Sequence, residues 1–175
     1  GKLLEADEKI LPSLIGSADE KSELFGRGYA LGRFENEGWA WIDGLNLPKW
    51  NPVSAGRISI IFPFKRQSWE LVESLGEEVG KYFWDHTYYY FDSGHGKDGD
   101  AKYVAEKLLK YECPFKAIDF INMALHQKCN IDPDMIMRVL EGALKPRSDG
   151  TKEPKAQSSG YDIQELFKKL QSNPE

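Results

Sequence analysis

The sequence predicts an all-α protein of antiparallel helical hairpins stacked as an irregular α-solenoid or bundle. Three amphipathic segments follow one another between residues 99 and 145 with barely a loop between them. Their apolar residues recur every three or four positions, the spacing of one helix face. Turns this short force neighbouring helices to pack antiparallel. Residues 57–62 form the one strand-like run, and it has no second run with which to pair.

Two helices are predicted in the first forty residues. Leucine and isoleucine side chains between Leu3 and Leu14 suggest the first. Ser17 and Glu20 have the spacing of a capping box and predict a second, long helix that runs toward Ile42. Four glycines lie within it, at a cost of up to ~1 kcal/mol each relative to Ala: Gly26, Gly28, Gly32 and Gly38. We expect close packing between helices to account for these glycines.

The next segment, residues 46–64, reads as a connector. It contains Pro48, Pro52 and Pro63, which end helices or prevent their continuation, so it holds at most a short helix or turn. The alternative is a lone strand at 57–62. After the connector, apolar residues with helical spacing predict a helix over 67–82.

Proline also marks the helix boundaries between residues 99 and 145. The first helix of this stretch begins with Asp98 or Asp100 as its cap and ends at Cys113, because the residue before Pro114 avoids the α region. The next helix starts at once. A third begins at Asp132 and Pro133, which have the N-cap and first-turn preferences of a helix start.

Residues 145–158 predict a flexible internal loop, since they contain proline, glycine and charge and no apolar side chain except one Ala. Ser159 and Asp162 then cap a last helix that ends near residue 173. We expect residues 1–175 to form a single all-α domain or a solenoid fragment. The chain opens with Gly1 rather than Met, and we expect it to be a segment of a longer protein.

Composition restricts the classes of partner. Hydrophobic residues make up 41% and charged residues 29% of the chain, as in soluble globular proteins. The net charge of −5 argues against nucleic acid or an anionic membrane as partner. No apolar run approaches the ~18 to 20 residues that span a bilayer. Cys113 and Cys129 lack metal-binding spacing, and two free thiols are typical of a reducing cytoplasm.

Candidate chemical motifs are weak. The glycine-rich stretch 26–32 lacks the lysine and the strand context of a phosphate loop, and residues 92–100 lack the ligand spacing of a calcium loop. His86, His95 and His126 are too scattered for a metal motif. We therefore expect no catalytic site, no cofactor and no metal. The alternative is a small-ligand-binding or enzymatic domain that uses the aromatic band described next and His86 or His95.

An aromatic band covers residues 82–91, where seven of ten side chains are aromatic. As a helix it would be apolar on more than one side, which favours a central helix packed between two layers. The alternative is a groove that anchors a peptide, because Tyr and Trp offer large contact area at little entropic cost. The candidate partner-binding residues are Trp84, Tyr88, Tyr90 and Tyr161, with Trp39 and Trp41 as further members.

Two resemblances concern the helical segments. From Gly99 onward the helix spacing resembles tetratricopeptide and related α-solenoid hairpins, without the glycine and tyrosine signature of the 34-residue repeat. The strings at 69–84, 103–125 and 161–171 resemble a helical region of very long, uncharacterised bacterial proteins. That resemblance implies a scaffold beside other domains of a large protein. We expect a non-catalytic, cytoplasmic interaction segment whose partner is a protein or another domain of the same parent chain.

Overall fold

The structure, a computed structural model, describes residues 2–89, 98–148, 150 and 160–172. Ten α-helices and one 3-10 turn, Leu47–Lys49, lie in these ranges, with no strand among them. The prediction of an all-α fold is confirmed. The helices are α1 Lys2–Ile15, α2 Glu20–Glu37, α3 Trp39–Gly44, α4 Pro52–Ser59, α5 Arg66–Ser74, α6 Glu77–His86, α7 Asp98–Lys110, α8 Pro114–His126, α9 Pro133–Ala143 and α10 Gly160–Gln171.

The chain divides into two compact units, residues 1–83 and 84–175, with the division inside α6. In the first unit α1 packs against α2 and α4, α3 packs against α2, and α4 contacts α5. Gly26 lies where α2 meets α1, and a Cβ at this position would come within 2.9 Å of the Leu14 Cβ. Close packing of α2 against α1 therefore explains the glycine at position 26. In the described residues, no helix combines the length and apolar character needed to cross a membrane.

The predicted long second helix is interrupted. Gly38 separates α2 from α3 with φ +59° and ψ −144°, a conformation that is accessible to glycine and strained for other residues. The N-terminal cap of α2 also differs from the capping box of Ser17 and Glu20 that the sequence predicts. Asp19 is the N-cap and accepts from the Ser22 amide at 2.9 Å, while the Ser17 hydroxyl accepts from the Asp19 amide.

The connector contains one short helix, α4, and the strand alternative for residues 57–62 is wrong. Asn51 caps α4 by accepting from the Ser54 amide, and Pro52 occupies the first turn, where its missing N–H costs nothing. The helix predicted over residues 67–82 is two helices. Gly76, with φ +108°, separates α5 from α6.

A buried carboxylate joins three helices of the first unit. Asp7 on α1 accepts hydrogen bonds from the Tyr29 hydroxyl at 2.8 Å and from the Trp41 indole at 2.9 Å. The Asp7 oxygen that accepts from Trp41 also forms an ion pair with Arg33 at 3.0 Å. These donors come from α2 and α3, so the charge that leaves water on α1 is stabilised only when both helices are in place.

In the second unit, α8 packs against α7, α9 and α10, and α9 also contacts α7 and α10. The predicted starts of α8 and α9 are confirmed: α8 begins at Pro114 directly after Cys113, and Asp132 caps α9 by accepting from the Asp134 amide at 3.0 Å. Asp100 lies inside α7, which begins at Asp98. The solenoid arrangement and the single domain over residues 1–175 stay predictions.

The predicted flexible loop lies mostly outside the described residues, which include 145–148 and 150 of its 14 positions. Its described beginning makes specific contacts. The Ser148 amide and hydroxyl both donate to the Glu112 carboxylate, at 3.0 and 2.8 Å. Ser159, proposed as a cap of the last helix, also lies outside the described residues.

The two glycines at positions 26 and 32 of α2 give a matched test of its packing. We expect Gly26→Ala to lower the free energy of unfolding by about 1 to 3 kcal/mol, because the new methyl overlaps α1. Gly32→Ala meets no atom within 4 Å and should raise it by about 0.5 to 1 kcal/mol through reduced chain entropy. Urea unfolding followed by circular dichroism measures both, and an equal effect at the two positions would contradict the packing.

The Tyr29 hydroxyl predicts a dependence on alkaline pH. Its hydrogen bond to Asp7 raises the pKa of Tyr29 above its ordinary value of 10.0. The contribution of this bond is therefore fully present below pH 10 and is lost as the pH rises through the higher pKa of the folded state. We expect the stability difference between the unchanged chain and Tyr29→Phe to shrink above pH 10. Tyr161→Phe, at an exposed position, controls for the loss of a phenol, and a constant difference for Tyr29→Phe would rule out the coupling.

Candidate functional site

The aromatic band is part core and part surface. Its helix, α6, ends at His86, and residues 87–89 continue without helical structure. Phe83 and Trp84 are fully buried, whereas 66% of Tyr88 is exposed. The band is thus not one continuous helix over its described length. Tyr90 and Phe91 lie outside the described residues.

A buried ion pair fixes the end of α6 in the second unit. The two terminal guanidinium nitrogens of Arg147 donate to the two carboxylate oxygens of Asp85, each at 3.0 Å. Lys116 on α8 donates from its ammonium to the main-chain carbonyls of Trp84 at 3.1 Å and Asp85 at 2.5 Å. Asp85, Lys116 and Arg147 are each less than a tenth exposed. Charged groups this deep require such pairing, so the network holds the chain where the aromatic segment leaves α6.

Cys113 belongs to the same network. Its thiol donates to Asp85 at 3.0 Å, and Arg147 approaches the sulfur at 3.7 Å. The thiol is fully buried, and its contacts are with groups that tie α6 to the start of α8. Burial withholds it from solutes, so we assign it a structural role.

The segment that follows α6 forms one wall of a cleft of about 390 Å³. Tyr89 donates from its hydroxyl to Asp119 at 3.1 Å, and its ring meets that of Phe120 edge-on at 5.7 Å. The main-chain carbonyl of Asp162 on α10 accepts from the side-chain amide of Asn122 at 3.0 Å, which joins α10 to α8. The cleft is lined by Tyr89, Asp119, Asn122, Met123, His126, Gln127 and Asp162.

The four proposed partner-binding residues lie in different surroundings. Trp84 is buried and offers no surface in this structure. Tyr88 and Tyr161 are 66% and 63% exposed, and each directly precedes a residue that lines the cleft. Tyr90 lies outside the described residues. Of the additional aromatic candidates, Trp41 is buried and donates to Asp7, and Trp39 packs against Phe34 and Phe62.

The described residues of the remaining candidate motifs form no metal site. The glycine-rich stretch 26–32 lies inside α2. Most of the stretch 92–100, His95 included, lies outside the described residues. Within the described part of the chain, no group of three or more His, Cys, Asp or Glu side chains is placed to hold a metal ion. His126 lines the same cleft as Asp119 and Asp162, and Cys113 donates to the Asp85 side chain.

Sequence reasoning did not identify the cleft itself. Tyr89 lies between the candidates Tyr88 and Tyr90 in the aromatic band, but the helical prediction for the band did not single it out. Asp119 and Asn122 are polar positions on the mainly apolar α8, at the i, i+3 spacing that puts two side chains on one face. Polar residues at that spacing on a central helix were the available signal.

Comparison of the chain with protein-family models, with curated proteins and with solved structures gives no match. A functional proposal therefore rests on the residues of the chain itself.

The Asp85–Arg147 pair predicts a large stability effect from a residue within the predicted loop 145–158. Arg147→Met leaves the Asp85 carboxylate buried without its guanidinium, and we expect the free energy of unfolding to fall by about 3 kcal/mol. Arg138→Met is the matched control, since Arg138 is half-exposed and meets Glu106 only at 3.8 Å; it should cost less than about 0.5 kcal/mol. Denaturant unfolding compares the two, and similar losses would contradict the role of the buried pair.

Proposed function

We propose that this chain is a non-catalytic helical scaffold and protein-interaction segment of a larger bacterial protein. Its partner is a protein, or another domain of the same parent chain, and no cofactor or metal takes part. We place the protein in the cytoplasm, in keeping with its two free and buried cysteines. The bacterial origin and the α-solenoid relationship follow the sequence resemblance described above.

One observation carries the proposal: two exposed tyrosines on different elements each stand one position before a residue that lines the same cleft. Tyr88 precedes Tyr89 in the segment after α6, and Tyr161 precedes Asp162 on α10. Both side chains are almost two-thirds exposed, although their rings are large enough to profit from burial. Tyrosine is among the residue types enriched in the hot spots of protein interfaces.

The hydrogen bonds that hold the walls of the cleft favour a binding role over a catalytic one. Its walls are joined by the Tyr89–Asp119 and Asn122–Asp162 hydrogen bonds, which hold both tyrosine-bearing elements against α8. A surface whose elements are held in advance loses less conformational entropy when a partner binds. Among the described residues, those that line the cleft include two aspartates and one histidine and no arginine or lysine, a balance of charge that disfavours a nucleic-acid partner.

Peptide display against the chain tests this proposal without knowledge of the natural partner. If the cleft and its tyrosines form a binding surface, selected peptides should lose about ten-fold or more in affinity when Tyr88 and Tyr161 are both replaced by Ala. Circular dichroism confirms that the variant is folded, and fluorescence anisotropy measures the affinities.

Phe167→Ala is the matched control, because Phe167 is another half-exposed aromatic residue on α10, and neither it nor either of its sequence neighbours lines the cleft. It should leave peptide affinity unchanged. A failure to select binders, or peptides that bind the double variant as tightly as the unchanged chain, would count against the proposed surface.

A further inference from the structure

Helix α2 presents an apolar face to solvent along much of its length. Leu24, Phe25 and Leu31 are 70%, 65% and 42% exposed, respectively. Gly28 and Gly32 lie on the same face, and a Cβ at either would meet no atom within 4 Å. Unlike Gly26, these two glycines have no packing role among the described residues, yet each weakens the helix by about 1 kcal/mol relative to Ala.

The face has a two-fold pattern centred on Gly28. Successive residues of a helix turn by 100° and rise by 1.5 Å, so Lys21 and Glu35, seven positions before and after Gly28, lie within about 20° of it at opposite ends. These three residues define a line along the helix. Leu24 and Leu31 lie on one side of this line, about 40° and 60° around the helix from Gly28. Phe25 and Gly32 lie on the other side at similar angles.

We propose that the α2 faces of two copies of this chain pack antiparallel about a two-fold axis beside Gly28. This rotation brings Leu24 of one copy to within about one residue rise of Leu31 of the second copy, on the same side of the axis. The Phe25 ring of one copy then lies over Gly32 of the second copy. The two Gly28 residues meet at the centre, where the absence of a side chain permits close approach of the helices.

Charge complementarity identifies the second copy as the occupant. In the antiparallel pair, Lys21 of one copy lies level with Glu35 of the second copy, and the symmetry makes this ion pair twice. Both side chains are exposed, and neither forms an ion pair with a described residue of its own chain. A face that matches itself in charge, and in large against small side chains, has the self-complementarity of a two-fold interface.

The signs of these charges also oppose the helix dipole. A lysine in the first turn of a helix and a glutamate in the last turn are each unfavourable for the isolated helix. The other charges of the first turn, Glu20 and Glu23, follow the ordinary preference. Lys21 and Glu35 therefore have no electrostatic benefit to the helix that carries them, whereas they attract each other across the proposed interface.

The contact is narrow, about 21 Å from Lys21 to Glu35 and one helix wide, so the association belongs with weak interfaces. We expect a dissociation constant of roughly 10 µM to 1 mM. This inference does not depend on the proposed function, because it concerns a different face and a different partner.

Charge reversal tests the pairing. Lys21→Glu and Glu35→Lys each place like charges opposite one another twice, and each should weaken dimerisation about ten-fold at low ionic strength. Each change also improves the dipole interaction within α2, so reduced dimerisation cannot be attributed to loss of the helix. The double variant Lys21→Glu with Glu35→Lys restores both pairs and should return to within about three-fold of the unchanged chain. Sedimentation equilibrium measures the association.

A cysteine placed at the centre tests the geometry. Gly28→Cys puts two thiols beside the axis and should give a disulfide-linked dimer under mild oxidation. Arg27→Cys is the control: it is adjacent in sequence but turned by 100° away from the axis, and it should stay uncrosslinked. Cys113 and Cys129 are buried and remain unchanged in both variants.

The proposal is overturned by any of three results: an unchanged chain that stays monomeric at 1 mM, single charge reversals that dimerise as well as the unchanged chain, or equal crosslinking at positions 27 and 28. Failure of the peptide selection at the Tyr88 and Tyr161 surface bears on the proposed function alone.

Discussion

Each unit is organised around a carboxylate that leaves water and is compensated by an arginine from a distant part of the sequence. In the first unit Asp7 pairs with Arg33, and in the second Asp85 pairs with Arg147. A buried charge without such a partner would cost several kcal/mol, so each pair forms only when the elements that carry it are assembled. The ion pairs therefore select one arrangement of helices from the several that the apolar stripes alone would permit.

The second of these pairs also determines where the candidate surface lies. Arg147 and Lys116 hold the end of α6, and the chain leaves the helix at that point with Tyr88 exposed and Tyr89 bonded to Asp119. Had the aromatic band continued as a helix, its rings would have been distributed over more than one side. A buried electrostatic contact thus converts a run of aromatic residues into one core portion and one exposed portion.

The sequence was sufficient to predict the helices between residues 99 and 145, because their boundaries depend on local chemistry. Pro114 and Asp132 act within one turn of their own positions. The break at Gly38 and the end of α6 at His86 were not predicted. A glycine in a helical pattern is compatible with either continuation or termination, and the choice depends on tertiary contacts. The hydrogen bonds that join the walls of the cleft link residues 30 and 40 positions apart in sequence, and helical spacing holds no information at that range.

The glycines of α2 show the same limit in a single helix. We expected close packing at all of them, and within the described residues Gly26 alone has it, against α1, while Gly28 and Gly32 face solvent. The sequence contains the symmetric spacing of Lys21, Gly28 and Glu35, but that spacing indicates an interface only if the face is exposed. Burial of the face would have made Leu24 and Leu31 ordinary core residues. Its exposure instead leaves an apolar surface, with charges placed against the helix dipole, that a second copy would complete.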